Sequence, residues 1–328
     1  MAIAVYRSNP LSTPLSRRRA LALAAAGAGL LAFRPALAAR QGGDTIRVTT
    51  TVGMVADAVR NIGGEHVDVT ALMGPGIDPH LYTPGASDIE ALSEADIIFY
   101  VGLELEGRMG DTLEGVARMG IPTIAVGENV PEDRLLASQQ YENAPDPHIW
   151  FSVPLWKMAV DAVRDALSEH YPDHAETFES NTAAYQAELD ALDAYVREQV
   201  ETVPEELRIL ITAHDAFGYF GHEYGFEVHG IQGISTSTEA GAGDIQDLAD
   251  FIVERQVPAI YVESSVPPAT IEALQEACRS RDWDVQIGGQ LFSDAMGEDG
   301  TPEGTYIGMV THNIDTIVGG LTGAESEG

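Results

Sequence analysis

Cysteine is nearly absent from this chain of 328 residues: Cys278 is the single thiol, so no intramolecular disulfide can form. At helical spacing from Ile271 and Leu274, Cys278 reads as a buried structural thiol rather than a metal ligand. Lysine is equally scarce, with Lys157 alone. The 18 basic residues face 51 acidic ones, a formal net charge of −33, and such a field excludes nucleic acid and anionic lipid as natural partners. The sequence also has no His-Glu-x-x-His and no Gly-x-Ser-x-Gly, and its Gly74-Pro75-Gly76 is a turn rather than a phosphate cradle. Those absences remove the common zinc-hydrolase, serine-hydrolase and nucleotide-binding classes.

What is present begins with an N-terminal address. Arg17-Arg18-Arg19 precedes an apolar stretch from Ala20 to Phe33, and Ala36-Leu37-Ala38 forms a small-residue cleavage site before Ala39. The stretch is shorter than the roughly 20 residues of a membrane span. Ser16-Arg17-Arg18 with Leu21 fits a twin-arginine signal, the kind that moves folded proteins. Residues 1–38 hold five arginines and no acids, so the mature chain keeps 13 basic residues against 51 acids, near −38. No cysteine follows the cleavage site to carry a lipid. The expectation is a periplasmic or otherwise extracytoplasmic protein, soluble and monomeric, with no direct membrane insertion.

The remainder has an α/β grammar, strand then helix, in two runs. Thr45–Val52, Val67–Met73, Asp96–Gly102 and Pro122–Val126 read as strands of a first lobe, residues 44–172. Within it, Met54–Ile62 is a helix stopped by Gly63-Gly64, and Ser87-Asp88-Ile89-Glu90 has capping-box form. Arg208–Ala213, Phe226–Gly230, Pro258–Glu263 and Asp284–Gly288 read as strands of a second lobe, residues 204–322, with helices at Ile245–Arg255, Thr270–Arg281 and Tyr306–Leu321. Short apolar strands with helical crossovers predict doubly wound parallel sheets. Between the lobes, residues 173–203 carry Phe178, Tyr185, Leu189, Leu192 and Val196 near one stripe and contain no glycine, which predicts one long rigid helix, roughly 40 Å at 1.5 Å per residue.

In open parallel sheets the ligand-binding edge lies beyond the carboxyl ends of the strands. His80, His148, His214 and Asp294 all fall there, two in each lobe. Imidazole and carboxylate together suit a borderline divalent metal. Asp-Pro-His occurs twice, at residues 78–80 and 146–148, and proline stiffens the presentation of each imidazole. Spacing alone leaves two readings open: a metal-binding set, or histidines hydrogen-bonded within loops. Glu263, at a strand end on the same edge, reads either as a carboxylate orienting an imidazole or as a strand-end cap. Trp150 and Phe217 read as walls of the cleft or as plain core. His222 and His229 read as structural or exposed, and His170 and His174 as an exposed helical face.

The segments Asp-Pro-His-Leu-Tyr-Thr-Pro, Asp-Pro-His-Ile-Trp-Phe, Thr-Ala-His-Asp-Ala-Phe-Gly-Tyr-Phe, Gly-Ile-Ser-Thr-Ser-Thr-Glu-Ala, Val-Glu-Ser-Ser and Gly-Gly-Gln-Leu-Phe-Ser-Asp resemble the metal-binding solute receptors of ABC importers, the TroA-like zinc and manganese family. The resemblance spans residues 44–321. It implies two α/β lobes joined by one long helix, with His80, His148, His214 and Asp294 as metal ligands, and an ABC permease as partner. The cargo it implies is Mn2+ or Zn2+. Residues 128–144 lack the histidine-rich insertion of some zinc-dedicated members, which tilts the expectation toward manganese, with zinc as the alternative. Four protein ligands leave no open coordination position for catalysis, so a receptor is expected rather than an enzyme. An exported metal storage protein or chaperone is the competing reading.

Overall fold

A computed structural model describes residues 45–138 and 144–323. The expected signal segment, residues 1–38 with its twin arginines, lies outside the described residues, as does part of 128–144.

The first half is a four-stranded parallel sheet in the order β2-β1-β3-β4. Its strands are β1 (Ile46–Thr50), β2 (Val67–Ala71), β3 (Ile97–Tyr100) and β4 (Thr123–Ala125). Helices α1 (Gly53–Gly63), α2 (Ala86–Glu94) and α3 (Gly110–Arg118) are its crossovers. Val48 in β1 and Ile97, Ile98 and Phe99 in β3 are buried, as strands covered on both faces require. Helix α2 begins two residues earlier than the Ser87 capping box predicts. Gly85 is its N-cap, and the Asp88 carboxylate three residues on accepts the Gly85 N–H at 2.6 Å, the reach-back half of a capping box. At the carboxyl ends of β1 and β3, buried Glu106 accepts the Thr51 hydroxyl at 2.6 Å and the Val101 and Gly102 N–H groups at 2.9 and 3.1 Å.

The second half contains two parallel strand pairs, β5 (Ile209–His214) with β6 (Glu227–Gln232), and β7 (Ala259–Glu263) with β8 (Gln286–Leu291). Strands β5 and β7 lie side by side. All six residues of β5 are buried.

A helix that the sequence reading omits, α4 (Val153–His170), packs along the long helix α5 (Ala175–Glu201). Its buried residues Val153, Leu155, Trp156, Ala159, Val160, Val163, Ala166 and Leu167 recur at three- and four-residue spacing and form one inward stripe, with Lys157, Asp161, Arg164 and Asp165 on the opposite side. Ser152 caps it by accepting the Leu155 N–H, and Pro154 stands in its first turn, where no N–H partner is needed. Helix α5, 27 residues long, buries Phe178, Thr182, Tyr185, Leu189, Leu192, Val196 and Val200. Its stripe seats against α1, α4 and the last helix, α9 (Tyr306–Thr322), rather than crossing open solvent.

Two hydrophobic cores result. The larger runs from the first sheet through α4 and α5 into α6 (Gly218–Tyr224) and α9. The smaller lies between β5, β7 and the helices α7 (Ala242–Arg255) and α8 (Ala269–Arg279), and it takes in Cys278 as the expected buried thiol. Among the described residues, no helix is long and apolar enough to cross a membrane.

Candidate metal centre

Four side chains at or beyond the strand ends converge on one point. His80 follows β2, His148 lies in the loop leading to α4, His214 is the last residue of β5, and Asp294 follows β8. One ligating atom from each lies within 4.8 Å of all the others. The set is sealed from solvent: His148 and His214 are 0% exposed, Asp294 1% and His80 6%.

The separations are those of a coordination shell. His80 Nε2 stands 3.2 Å from His148 Nε2 and 3.6 Å from Asp294 Oδ2; His148 Nε2 is 3.4 Å from Asp294 Oδ1, and His214 Nε2 is 3.3 Å from Asp294 Oδ2. Donors about 2.1 Å from a shared ion at tetrahedral angles would stand roughly 3.4 Å apart. His214 Nε2 and both oxygens of Asp294 are buried without a hydrogen-bond partner. Buried polar atoms left unpaired in this way are costly unless something absent from the chain satisfies them, and a divalent cation at the point they share would do so.

Two of the three imidazoles are held from behind by a carboxylate, and the third by its backbone. Asp78 and Asp146 form matching turns in the two Asp-Pro-His segments, accepting the His80 N–H at 2.8 Å and the His148 N–H at 2.9 Å. Beyond that the two diverge. Asp146 Oδ1 also accepts the His148 Nδ1–H at 2.7 Å, whereas Asp78 Oδ2 accepts the hydroxyl of Thr236 from the second half at 2.5 Å. Glu263 does for His214 what Asp146 does for His148: one oxygen accepts the His214 backbone N–H at 2.8 Å and the other its Nδ1–H at 2.5 Å. A carboxylate on Nδ1 fixes the tautomer and leaves the Nε2 lone pair facing the centre. Glu263 thus holds both the backbone and the ring of His214.

Asp146, Asp78 and Thr236 were not singled out by the sequence reading as supports. The signal was there for the aspartates, since each stands two residues before a histidine across a proline. Nothing local points to Thr236. Gly230 on β6 lies directly behind His214, where a Cβ would come within 2.3 Å of the Asp215 nitrogen, so only glycine lets the strand approach the ligand loop this closely.

Charge follows from these pairings. Burial and the neighbouring imidazoles hold His80 down at about 3, against the pull of Asp294. Burial works against protonation of His148 too, but Asp146 and Asp294 outweigh it and hold that imidazole up at about 9. Glu263 and Asp294 likewise raise His214 well above the ordinary range in spite of its burial. Asp294, also buried, is held well below the usual carboxylate range by His214 and His148. A cation bound at this point would therefore displace protons from His148 and His214.

Of the other sequence candidates, Trp150 borders the site and the histidines fall elsewhere. Trp150 walls the site, its ring edge-on to His148 at 5.2 Å, whereas Phe217 stacks on Phe151 at 4.1 Å. His222 is exposed, and His229 pairs with Glu227 at 3.0 Å. His170 is exposed as expected; His174 is not a free surface residue but stacks on His66 at 4.1 Å, after the tight turn Pro172–His174.

Known proteins match over the same region. Residues 48–320 match the family ZnuA, zinc-uptake complex component A periplasmic. The zinc-binding protein TroA of Treponema pallidum is 52% identical over 274 residues, covering 84% of this chain and 88% of that protein. The manganese-binding lipoprotein MntA of Bacillus subtilis is 47% identical over 276 residues, covering 84% and 90%. The solved structure of the periplasmic zinc-binding protein TroA from Treponema pallidum superposes with a TM-score of 0.82 at 51% identity, covering 85% of this chain and 99% of that one. The resemblance read from the motifs is thus borne out, as is the α/β fold with parallel sheets and a long helix. With its buried cluster of three histidines and an aspartate set in that fold, the chain belongs to the ZnuA family of periplasmic metal-uptake components.

Proposed function

We propose that this protein is an extracytoplasmic receptor that captures zinc or manganese at His80, His148, His214 and Asp294 and delivers it to an ABC permease. The observation that carries the reading is the convergence of three imidazole nitrogens and two unpaired carboxylate oxygens in a space closed to solvent. The relatives named zinc-binding and manganese-binding support both ions as cargo. Donor separations of 3.2–3.6 Å accommodate either ion. Asp146 and Glu263 are both engaged by ligand N–H groups, so neither is free to activate water, which favours a binding protein over an enzyme.

The cargo-bound site would join two lobes, 44–172 and 204–322, across the helix of residues 173–203. Support comes from the sheet of β1–β4 lying wholly in the first and β5–β8 wholly in the second, with one ligand pair on each. Elemental analysis of protein purified from its native envelope without chelator is expected to find close to one equivalent of zinc or manganese. His148→Ala should lose that metal and His222→Ala retain it. Metal retained by the first and lost by the second would overturn the ligand assignment.

Export by the twin-arginine route is part of the same reading, supported by Ser16-Arg17-Arg18 and Leu21. Arg17→Lys with Arg18→Lys should leave the protein inside the cell. Undiminished secretion of that variant would retire the route.

A further inference from the structure

The last helix, α9, touches none of the four candidate ligands by a hydrogen bond, yet it holds the supports of two of them. Tyr306, in its first turn and fully buried, donates its hydroxyl to the Trp150 carbonyl at 2.7 Å. Trp150, also fully buried, lies edge-on to His148 and donates its indole N–H to the Ser293 carbonyl at 3.0 Å, next to Asp294. Two turns further along α9, Asn313 clasps the Phe292 backbone, accepting its N–H at 2.9 Å and donating to its carbonyl at 2.7 Å. Residues seven apart share a helix face, so one rigid element grips the approach to His148 with one side chain and the approach to Asp294 with another. Helix α9 is itself pinned at its start, where Asp57 of α1 accepts both the Tyr306 N–H at 3.2 Å and the hydroxyl of Tyr185 from α5 at 3.0 Å.

We propose that Trp150, held by Tyr306, is a positioning residue that sets the spacing between His148 of the first half and Asp294 of the second. This rests on the metal-binding reading above and deepens it. The indole is in contact with a candidate ligand on one side and with the backbone beside another on the other, so it works as a spacer between them. Its N–H and its carbonyl are both committed, and that removes the freedom to slide. Loss of either bond would let the His148 Nε2 to Asp294 Oδ1 distance of 3.4 Å drift, and the cost falls on the bound state, which needs all donors in place at once.

Trp150→Phe keeps a ring beside His148 but removes the N–H, and Tyr306→Phe keeps the stack on Trp156 but removes the hydroxyl. Each is expected to weaken zinc binding about tenfold, within the roughly 10- to 100-fold span of supporting-residue changes at metal sites. The loss should appear as faster dissociation in stopped-flow displacement by a chelator, with the association rate unchanged. The double variant should be no worse than about the weaker single variant, since both act through one contact chain. Cobalt(II) bound in place of zinc should show a shifted visible absorption band in both variants, a readout of ligand geometry that looser packing elsewhere would not move. Unchanged cobalt spectra and zinc affinity within twofold of the parent, in variants that fold, would overturn the proposal. In that outcome loss of metal by His148→Ala leaves the receptor reading standing, whereas full binding by His148→Ala sinks both.

Discussion

Asp294→Ala is expected to lower zinc affinity by two to three orders of magnitude while the protein remains folded. Both oxygens of Asp294 face the centre, and each lies 3.3–3.6 Å from an imidazole nitrogen. Among the described residues it is the one anion in direct reach of the proposed ion; Asp146 and Glu263 act one bond further out, through the imidazoles. A four-ligand zinc site is worth roughly 10–16 kcal/mol, so one ligand carries about 3–4 kcal/mol, and each 1.4 kcal/mol is tenfold. Asp294→Asn tests the charge separately, because it keeps the volume and one oxygen donor while removing the anion. Competition against a chromophoric chelator at fixed pH gives both affinities. Binding by the alanine variant within tenfold of the parent would mean that the carboxylate is not a donor.

Acidity should have an effect of similar size, in a window higher than ordinary imidazole titration. The sequence alone predicts a fall in affinity through about pH 6, where a free histidine titrates. Asp146 and Asp294 hold His148 up at about 9, so its proton must be displaced for metal to bind throughout the range below that value. The sign follows directly: as pH falls from 8 to 6, the apparent affinity drops about tenfold per unit for that proton, about a hundredfold in all. His214, raised by Glu263 and Asp294, adds a second proton and a steeper fall. His80, held at about 3, contributes nothing until far lower pH. Calorimetry in buffers of different ionisation enthalpy should find about two protons released per zinc at pH 7. No proton release, with a flat affinity from pH 8 to 6, would contradict the charge assignment.

Much of this protein is written locally. Each Asp-Pro-His segment contains its own turn: proline restricts the backbone and the aspartate accepts the N–H two residues on, so a rigidly presented imidazole follows from three residues. The short apolar strands and the glycine-free helix of residues 175–201 are similarly legible, because period and composition act over neighbouring turns. Helix α4 carries the same kind of signal, its buried residues from Val153 to Leu167 recurring at three- and four-residue spacing opposite Lys157, Asp161, Arg164 and Asp165, so it too is legible in the sequence although the sequence reading leaves it out.

Tertiary structure decided the rest. Two identical tripeptides received different work, Asp146 bonding its own histidine's ring while Asp78 reached Thr236, 158 positions away, and only the packing of distant loops distinguishes them. The same holds for Glu263 beneath His214 and for Tyr306 behind Trp150. Sequence by itself determined which side chains could bind a metal and how stiffly their loops present them, since those are properties of a few adjacent residues. Whether the donors share one point, how far apart they stand and which of them carry protons depended on long-range packing, because distance, burial and neighbouring charge are set by residues remote in the chain.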